Sequence, residues 1–281
     1  MSQVAEQTNN PASQEIIHES TLYAEPIGHI GGFSITNSFA TSLVAFVIIT
    51  ILSLLIYRKI KRIPTGIQNA FEMIIEGFLD LFDSVTGSRK ISLKFAPLVL
   101  TFFFFILINN WMGLLPGVGS IGQVVSSGGE KFFIPYLRGA TADLNTTLAL
   151  ATIGVVISHI LGVMSVGAWN YLNKFINFKA LLEIPKKVFK DPTILIINPI
   201  KIFVGFIEII SELAKVASLS FRLFGNVFAG EVLLASMSAL LAFGLPIPFL
   251  FLEVLVGLIQ ALIFAMLILT YLTINTTAEE H

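Results

Sequence analysis

The chain has 281 residues, of which 55% are hydrophobic and only 12% are charged. Because ordinary soluble domains carry about 25% charged residues, this composition predicts a protein that lies in a lipid bilayer. The net charge of -1 provides no excess of positive charge for nucleic acid, and the lack of cysteine excludes disulfides and thiolate metal sites. The sequence shows no glycine-rich phosphate loop, and we expect neither a metal nor a cofactor.

Residues 1–32 are predicted to form a polar tail outside the cytoplasm, ahead of a membrane domain at residues 33–281. The tail lacks the basic region and the short apolar run that mark a cleavable signal peptide. We therefore expect the tail to be retained.

Five apolar stretches predict an all-α polytopic membrane protein, because a helix of about 20 residues crosses a hydrocarbon core of roughly 30 Å. They are Phe33 to Tyr57, Phe95 to Leu115, Asn145 to Val166, Pro199 to Leu241 and Pro246 to Ile274. Asp143 and Asn145 stand where side chains cap the start of the third helix. The fourth stretch exceeds a perpendicular span, so we expect that helix to be strongly tilted or to project from the membrane.

A further helix is predicted between the first two spans, at Thr65 to Val85. Carboxylates recur there at helical spacing while apolar side chains take another side, which is typical of a helix on a membrane surface or against a partner. The carboxylates are Glu72, Glu76, Asp80 and Asp83, and the apolar residues are Ile75, Phe78, Leu79 and Phe82.

Lysine and arginine are concentrated in two connections between spans, which indicates the side that faces the cytoplasm. They cluster between the first and second spans and between the third and fourth, whereas the opposite side has only Lys131 and Arg138. With five spans, this distribution puts the N-terminus outside and the C-terminus in the cytoplasm.

Polar residues form one stripe along the fourth span, because positions four and seven apart on a helix face nearly the same way. The stripe consists of Glu208, Ser211, Lys215, Ser218, Arg222 and Asn226. Glu231 is nine positions after Arg222, so it faces the other side of the helix. Gly225 and Ala229 lie beside the stripe, where small side chains would let another helix approach closely.

Arg222 is the most informative residue of the stripe, because a charge inside a membrane is costly and usually marks an ion or substrate pathway. Arginine stays protonated, so it acts as a fixed positive charge that would make a passing carboxylate release its proton. The alternative is a structural arginine paired with a carboxylate inside the bundle. Lys215 and Glu208 lie nearer the cytoplasmic end, where snorkelling to the interface is an equal alternative.

The fifth span adds Glu253 and Gln260, which are seven positions apart and share a face. Glu253 and Glu231 are candidates to line an ion entry route; alternatively, either carboxylate is protonated and only hydrogen-bonded. Gln260 is a candidate to bond Arg222 across a helix pair. Histidine titrates near neutral pH, so His159 in the third span is a candidate proton relay, with a structural role as the alternative.

Four segments together resemble subunit a of the F-type ATP synthase, the membrane stator of a rotary ion motor. They are SELAKVASLSFRLFGNVFAGE (Ser211 to Glu231), NNWMGLLPG (Asn109 to Gly117), ADLNTT (Ala142 to Thr147) and IQALIFAMLILTYL (Ile259 to Leu272), supported by the C-terminal EEH. The resemblance covers roughly residues 33 to 281 and keeps the order and spacing of the family's motifs.

The resemblance implies a non-catalytic subunit whose two half-channels carry ions to and from a ring of c subunits, each bearing a carboxylate. It implies that Arg222 is the family's essential arginine and that Asn226, Glu231 and Gln260 lie near the ion path. The positions of Glu208, Lys215 and Ser218 match polar positions in the cytoplasmic half.

The same resemblance implies two long, tilted C-terminal helices against the c ring. It also implies a b-subunit peripheral stalk as neighbour and assembly into the whole ATP synthase in a bacterial inner membrane, with protons favoured over sodium. One departure is Glu253, because the best-studied bacterial members pair a glutamate at the Glu231 position with a histidine on the last span. Two carboxylates in the outer route are compatible with protons but make sodium harder to exclude.

Two other functions would use the same residues differently. An intramembrane enzyme would need His159 beside Glu231 or Glu253 as acid and base, and would be active as an isolated chain. A small-solute transporter would show paired broken helices or repeat symmetry, neither of which is evident in the sequence.

Overall fold

The computed structural model describes residues 16–17, 23–58, 60–61, 66–115, 117–127, 130–176, 194–241 and 244–276. Within these ranges the helices are α1 (Asn37–Arg58), α2 (Ile67–Thr86), α3 (Arg89–Leu114), α4 (Leu144–Val166), α5 (Ala168–Ile176), α6 (Ile194–Leu240) and α7 (Pro246–Thr276). A single 3-10 turn covers Ala140–Ala142, and the strands are β1 (Ile16–Ile17), β2 (Pro26–Ile30), β3 (Phe33–Thr36), β4 (Gly122–Ser127) and β5 (Glu130–Pro135).

Five helices are long and apolar enough to cross a membrane: α1, α3, α4, α6 from Phe203 onward, and α7. The prediction of an all-α polytopic membrane protein is thereby confirmed. The predicted bounds of the third and fifth spans agree with α4 and α7 to within one or two residues.

The predicted start of the first span at Phe33 is wrong by four residues, because residues 33–36 form a strand. Gly31 and Gly32 have φ of 57° and 87°, the positive values that a tight two-residue hairpin turn requires. They join β2 to β3, and Asn37 then begins α1, its side chain accepting hydrogen bonds from the backbone of Ser38 and Glu25. The predicted boundary at residue 32 therefore falls inside a hairpin.

Two further helices begin earlier than their apolar stretches: α3 at Arg89 instead of Phe95, and α6 at Ile194 instead of Pro199. Hydropathy marks the segment suited to hydrocarbon, whereas a helix continues for as long as its backbone is satisfied. At the start of α3, the Arg89 guanidinium bonds Asp80 at 3.0 Å and Asp83 at 2.9 Å. These contacts attach the polar start of α3 to α2.

The predicted amphipathic helix is confirmed as α2, and its apolar face packs within the chain. Phe82 is fully buried and Leu79 is 6% exposed, while the ring of Phe78 lies 4.6 Å from the ring of Phe103 in α3. Exposed Glu72, Glu76 and Asp80 lie away from this contact.

The core lies between α3 and α7, where 44% of each apolar segment is buried, against only 11% in α1 and α6. Val99 and Ile106 of α3 and Ile268 and Leu272 of α7 are completely buried. Helix α4 packs on α6 and α7. Much of the 47-residue α6 is thus left open on the outside of the bundle.

The strands and the connection after them gather at one end of the bundle. Strand β5 pairs with β4 in antiparallel and with β1 in parallel orientation. The chain then passes α1, where Asn37 donates to the carbonyl of Pro135 at 3.4 Å and the backbone of Arg138 donates to Thr41 at 3.2 Å. These bonds fix the backbone at Pro135 and at Arg138, ahead of α4.

Candidate functional site

Arg222 lies on an open face of α6. Its side chain is exposed, and no hydrogen bond or ion pair joins it to any residue within the described ranges. Ser218 and Gly225 are exposed beside it, whereas Leu219 and Leu223 are buried on the side that packs against the bundle. The structure therefore does not support the alternative that Arg222 is a structural arginine paired with a carboxylate of the described bundle.

The other members of the predicted stripe are less exposed than Arg222 and Ser218. Because α6 is one uninterrupted helix, the spacing that predicted the stripe holds along it. The half-buried members are Glu208, Ser211, Lys215 and Asn226. The stripe is thus most open at Ser218 and Arg222, towards its C-terminal end.

Glu231 lies about half a turn round α6 from Arg222, and its carboxylate is held by Arg138. The Nε of Arg138 is 3.0 Å from Oε1, and Nη2 is 2.9 Å from Oε2, so the planar guanidinium binds both oxygens. The Arg138 side chain is 6% exposed and that of Glu231 35% exposed. The carboxylate therefore keeps an open side while its cation is buried.

A cavity of about 170 Å³ adjoins Glu231, with room for several water molecules. Its charged lining comes from Glu231, Arg138 and Glu253, and the remaining wall comes from α3, α6, α7 and the segment around the 3-10 turn. The structure thus brings together the two carboxylates that the sequence analysis proposed for one ion route.

Glu253 occupies the space that a glycine leaves between α6 and α7. It is 8% exposed, and a Cβ at Gly230 would lie 2.2 Å from its carboxyl carbon. No described residue hydrogen-bonds to the carboxyl group of Glu253. The alternative that this carboxyl group is only hydrogen-bonded would require a partner, and the described part of the chain provides none. The carboxyl group instead lines the cavity.

Hydrogen bonds between helices fix the cavity wall. Asn110 of α3 donates to the carbonyl of Gly257 in α7 at 3.0 Å and accepts from the Thr141 hydroxyl at 2.6 Å. The indole of Trp111 donates to the carbonyl of Val254 at 3.1 Å. Helix α3 is thus joined to α7 and to the 3-10 turn through Asn110, which itself lines the cavity.

The predicted capping residues support this end of α4. Asp143 is the N-cap, accepting from the Asn145 backbone at 3.2 Å and from the Thr146 hydroxyl at 3.1 Å. Neither Asp143 nor Asn145 lines the cavity. Asp143 holds the start of α4 five residues after Arg138.

Gln260 is half-buried on α7, two turns beyond Glu253. Both Gln260 and Arg222 lie in the described part of the chain, and no hydrogen bond joins them. The hypothesis that Gln260 bonds Arg222 is therefore not supported in this structure.

His159 lies far from the cavity carboxylates. It contacts Tyr171 and Glu212, and Glu212 precedes Glu231 by 19 residues on α6, which is about 28 Å along the helix. The intramembrane enzyme hypothesis requires His159 beside Glu231 or Glu253, and the structure separates these groups.

Known proteins are similar to this chain along most of its length. The family model described as ATP synthase A chain matches residues 39–273. The chain belongs to the ATP synthase subunit a family. It is similar to ATP synthase subunit a of Geobacter sulfurreducens, with 32% identity over 87% of this chain and 89% of that protein.

Two other members of the family show the same degree of similarity. ATP synthase subunit a of Syntrophobacter fumaroxidans is 36% identical over 76% of this chain and 73% of its own length. That of Campylobacter concisus is 30% identical over 92% of this chain and 97% of its own length. Membership makes this protein a membrane-sector subunit of the ATP synthase complex, with ATP synthesis and ion transport as its context.

Sequence reasoning on this subunit a missed two charged residues of the site. Arg138 was used only to assign which side of the membrane each connection occupies. Its position just before ADLNTT, on a side otherwise poor in basic residues, could have identified it as a candidate site residue. Glu212 was left out because it lies off the stripe; its spacing of three from Lys215 predicts their 2.7 Å ion pair.

Proposed function

We propose that this subunit is the ion-conducting stator of the ATP synthase membrane sector. One observation carries the proposal: Arg222 is exposed without a counter-charge in the described bundle, while Glu231 and Glu253 line a cavity on the other side of α6. An uncompensated arginine in a membrane segment is costly unless a partner supplies a negative charge. A ring of c subunits, each bearing a carboxylate, is the partner that meets this requirement.

In this mechanism ions enter from outside through the cavity at Glu231 and Glu253 and bind a ring carboxylate. The carboxylate travels nearly a full turn and then approaches Arg222 from the cytoplasmic half-channel, where the fixed positive charge favours its ionised form and drives proton release. Asn226 and Gln260 lie along this route, and Glu208, Lys215 and Ser218 belong to the cytoplasmic half. Rotation of the ring thereby couples ion flow to ATP synthesis.

Protons are the favoured ion, with sodium the less favoured alternative. Arg138 binds both oxygens of Glu231 and places a positive charge on the cavity wall, which opposes binding of a metal cation there. A proton can still reach either carboxylate through water in the cavity.

The remaining assignments follow from the same proposal. The subunit is non-catalytic, and other subunits perform the ATP chemistry. It contacts the b-subunit peripheral stalk and membrane lipid in a bacterial inner membrane, with the polar tail of residues 1–32 outside and the C-terminus in the cytoplasm. The long α6 and α7 lie tilted against the ring.

The test is ATP-driven acidification of vesicles that contain the whole complex, with and without sodium. Arg222→Ala should abolish pumping while the detached soluble head still hydrolyses ATP. Arg58→Ala, at the exposed end of α1, is the matched control and should pump normally. Normal pumping by an assembled Arg222→Ala complex would refute the proposal, and stimulation by sodium would identify the other ion.

A further inference from the structure

A second polar cluster lies where α4, α5 and α6 meet, away from the cavity. His159 Nδ1 is 2.5 Å from the Tyr171 hydroxyl, and Nε2 is 3.4 Å from Oε2 of Glu212. The other oxygen of Glu212 accepts from Lys215 Nζ at 2.7 Å. One chain of contacts therefore runs from α5 through the imidazole to two charges on α6.

The cluster is sheltered but within reach of water. The exposed fractions of the side chains are 11% for Glu212, 22% for Lys215 and 26% for His159. Burial, with added repulsion from Glu212 and Glu208, raises the pKa of Tyr171 to about 12, so its hydroxyl stays protonated at physiological pH. The imidazole is consequently the group of this cluster whose ring nitrogens can both take up and donate a proton while it contacts a carboxylate.

The charges around the imidazole come from three sides. Helix α6 contributes Glu212, Lys215 and, at longer range, Glu208; α5 contributes Tyr171. Helix α7 contributes Tyr271, whose ring centre lies 5.1 Å from Lys215 Nζ. Arg222 of α6 also acts electrostatically on Tyr271. Among the groups named here, Glu212 is the one positioned to hold a protonated imidazole.

The cluster lies on the N-terminal side of Arg222. Glu212 precedes Arg222 by ten residues, which is about 15 Å along α6, and Lys215 precedes it by seven, on the same face. In the topology proposed above, this half of α6 leads to the cytoplasm. A proton released at Arg222 would leave past this cluster.

We propose that His159 and Glu212 form a proton-transfer site on the cytoplasmic exit route, an inference that rests on the function proposed above. In the tautomer whose Nδ1–H donates to the Tyr171 hydroxyl oxygen, Nε2 is able to take a proton from a hydronium ion in the route. One O–H bond of the hydronium breaks as the N–H bond forms, and Glu212 holds the resulting imidazolium. On the cytoplasmic side the N–H bond breaks again and the proton forms an O–H bond with a water molecule, which leaves the imidazole neutral.

The first experiment measures ATP-driven pumping by the whole complex in vesicles whose cytoplasmic face is outward, at outer pH values from about 5.5 to 8.5, a range that brackets histidine titration. The wild-type rate should depend on pH within this range. His159→Gln should lose that dependence and pump roughly tenfold more slowly. The loss should be smaller than the factor of about 100 for a general base, because water can replace a relay. His29→Gln, exposed in β2, is the matched control and should resemble wild type.

Glu212→Gln gives a second test that keeps the imidazole. Loss of the neighbouring negative charge should move the pH dependence of pumping to lower pH, because the imidazolium is less well held. An unshifted pH profile would overturn the proposal even if His159→Gln failed to assemble. A wild-type pH profile in assembled His159→Gln would also overturn it and would leave the cluster as a structural contact between helices.

Arg222→Ala in the same vesicles separates this inference from the function on which it rests. If Arg222→Ala pumps, the stator mechanism fails and the exit site fails with it. If Arg222→Ala is inactive while His159→Gln keeps the wild-type pH profile, only the exit site is wrong.

Discussion

Single replacements in the Arg138–Glu231 pair should destabilise the subunit by unequal amounts, because the two side chains are unequally buried. Arg138 is 6% exposed, so Glu231→Gln leaves a nearly buried guanidinium without its counter-charge. Loss of one partner from a buried pair costs about 3–5 kcal/mol. Glu231 is 35% exposed, so in Arg138→Gln water hydrates the remaining carboxylate and reduces the cost to about 1–2 kcal/mol.

The assay is gradual heating of the detergent-solubilised complex, with measurement of the fraction of this subunit that stays bound at each temperature. At about 2–4 °C per kcal/mol, Glu231→Gln should lower the midpoint by roughly 10 °C and Arg138→Gln by roughly 4 °C. The double variant buries no unpaired charge, so its midpoint should lie above that of Glu231→Gln alone.

Two results would refute this reasoning. Equal midpoints for the single variants would show that the difference in burial is irrelevant. Additive losses in the double variant would show that the side chains do not interact energetically, despite their 2.9 Å and 3.0 Å contacts. Arg58→Gln, at the exposed end of α1, is the control for loss of an arginine charge.

Three other pairs of variants can be compared in the same heating assay. Phe82→Ala should cost about 3–5 kcal/mol because the ring is fully buried, whereas Phe39→Ala, at a position 47% exposed, should change the midpoint little. Asp143→Ala should cost about 1 kcal/mol through loss of the α4 cap, and Asp143→Asn should keep most of it because the amide oxygen can accept the same bond. Gly162→Ala should weaken packing of α4 on α7, since its Cβ would lie 2.8 Å from a backbone carbonyl oxygen. A Cβ at Gly225 meets no atom within 4 Å, so Gly225→Ala should keep the stability of the wild type. It should nevertheless slow pumping, because the added methyl group obstructs the open face of α6. Equal midpoints within any pair would contradict the contact on which that comparison rests.

The helical part of the candidate site was predictable from the sequence because it depends on local geometry. Helix α6 is uninterrupted from Ile194 to Leu240, so a rotation of about 100° per residue correctly places Arg222 and Glu231 on different sides. The same arithmetic identified the buried face of α2 and the cap at Asp143. In each case the interacting positions lie within a few turns of one helix.

The partners of these residues were not predictable, because they come from distant parts of the chain. Arg138 reaches Glu231 across 93 positions, and His159 meets Tyr171 and Glu212 only after three helices have packed. Helical periodicity carries no information about such pairs. The strands β4 and β5 were missed because their glycine- and serine-containing segment is typical of a loop between spans, although the glycine pair between them is also typical of a hairpin turn.

The composition of the cavity wall bears on how the subunit is synthesised. The first cavity-lining residue in the chain is Asn110 of α3, and the last is Gly257 of α7. The wall is therefore complete only after α7 has been synthesised. A nascent chain that has inserted only α1 to α6 lacks Glu253 and the α7 backbone that bonds Asn110 and Trp111. The entry route of the proposed function therefore forms only when translation has delivered the last helix, and an unfinished chain in the membrane has no such route through which to dissipate the ion gradient.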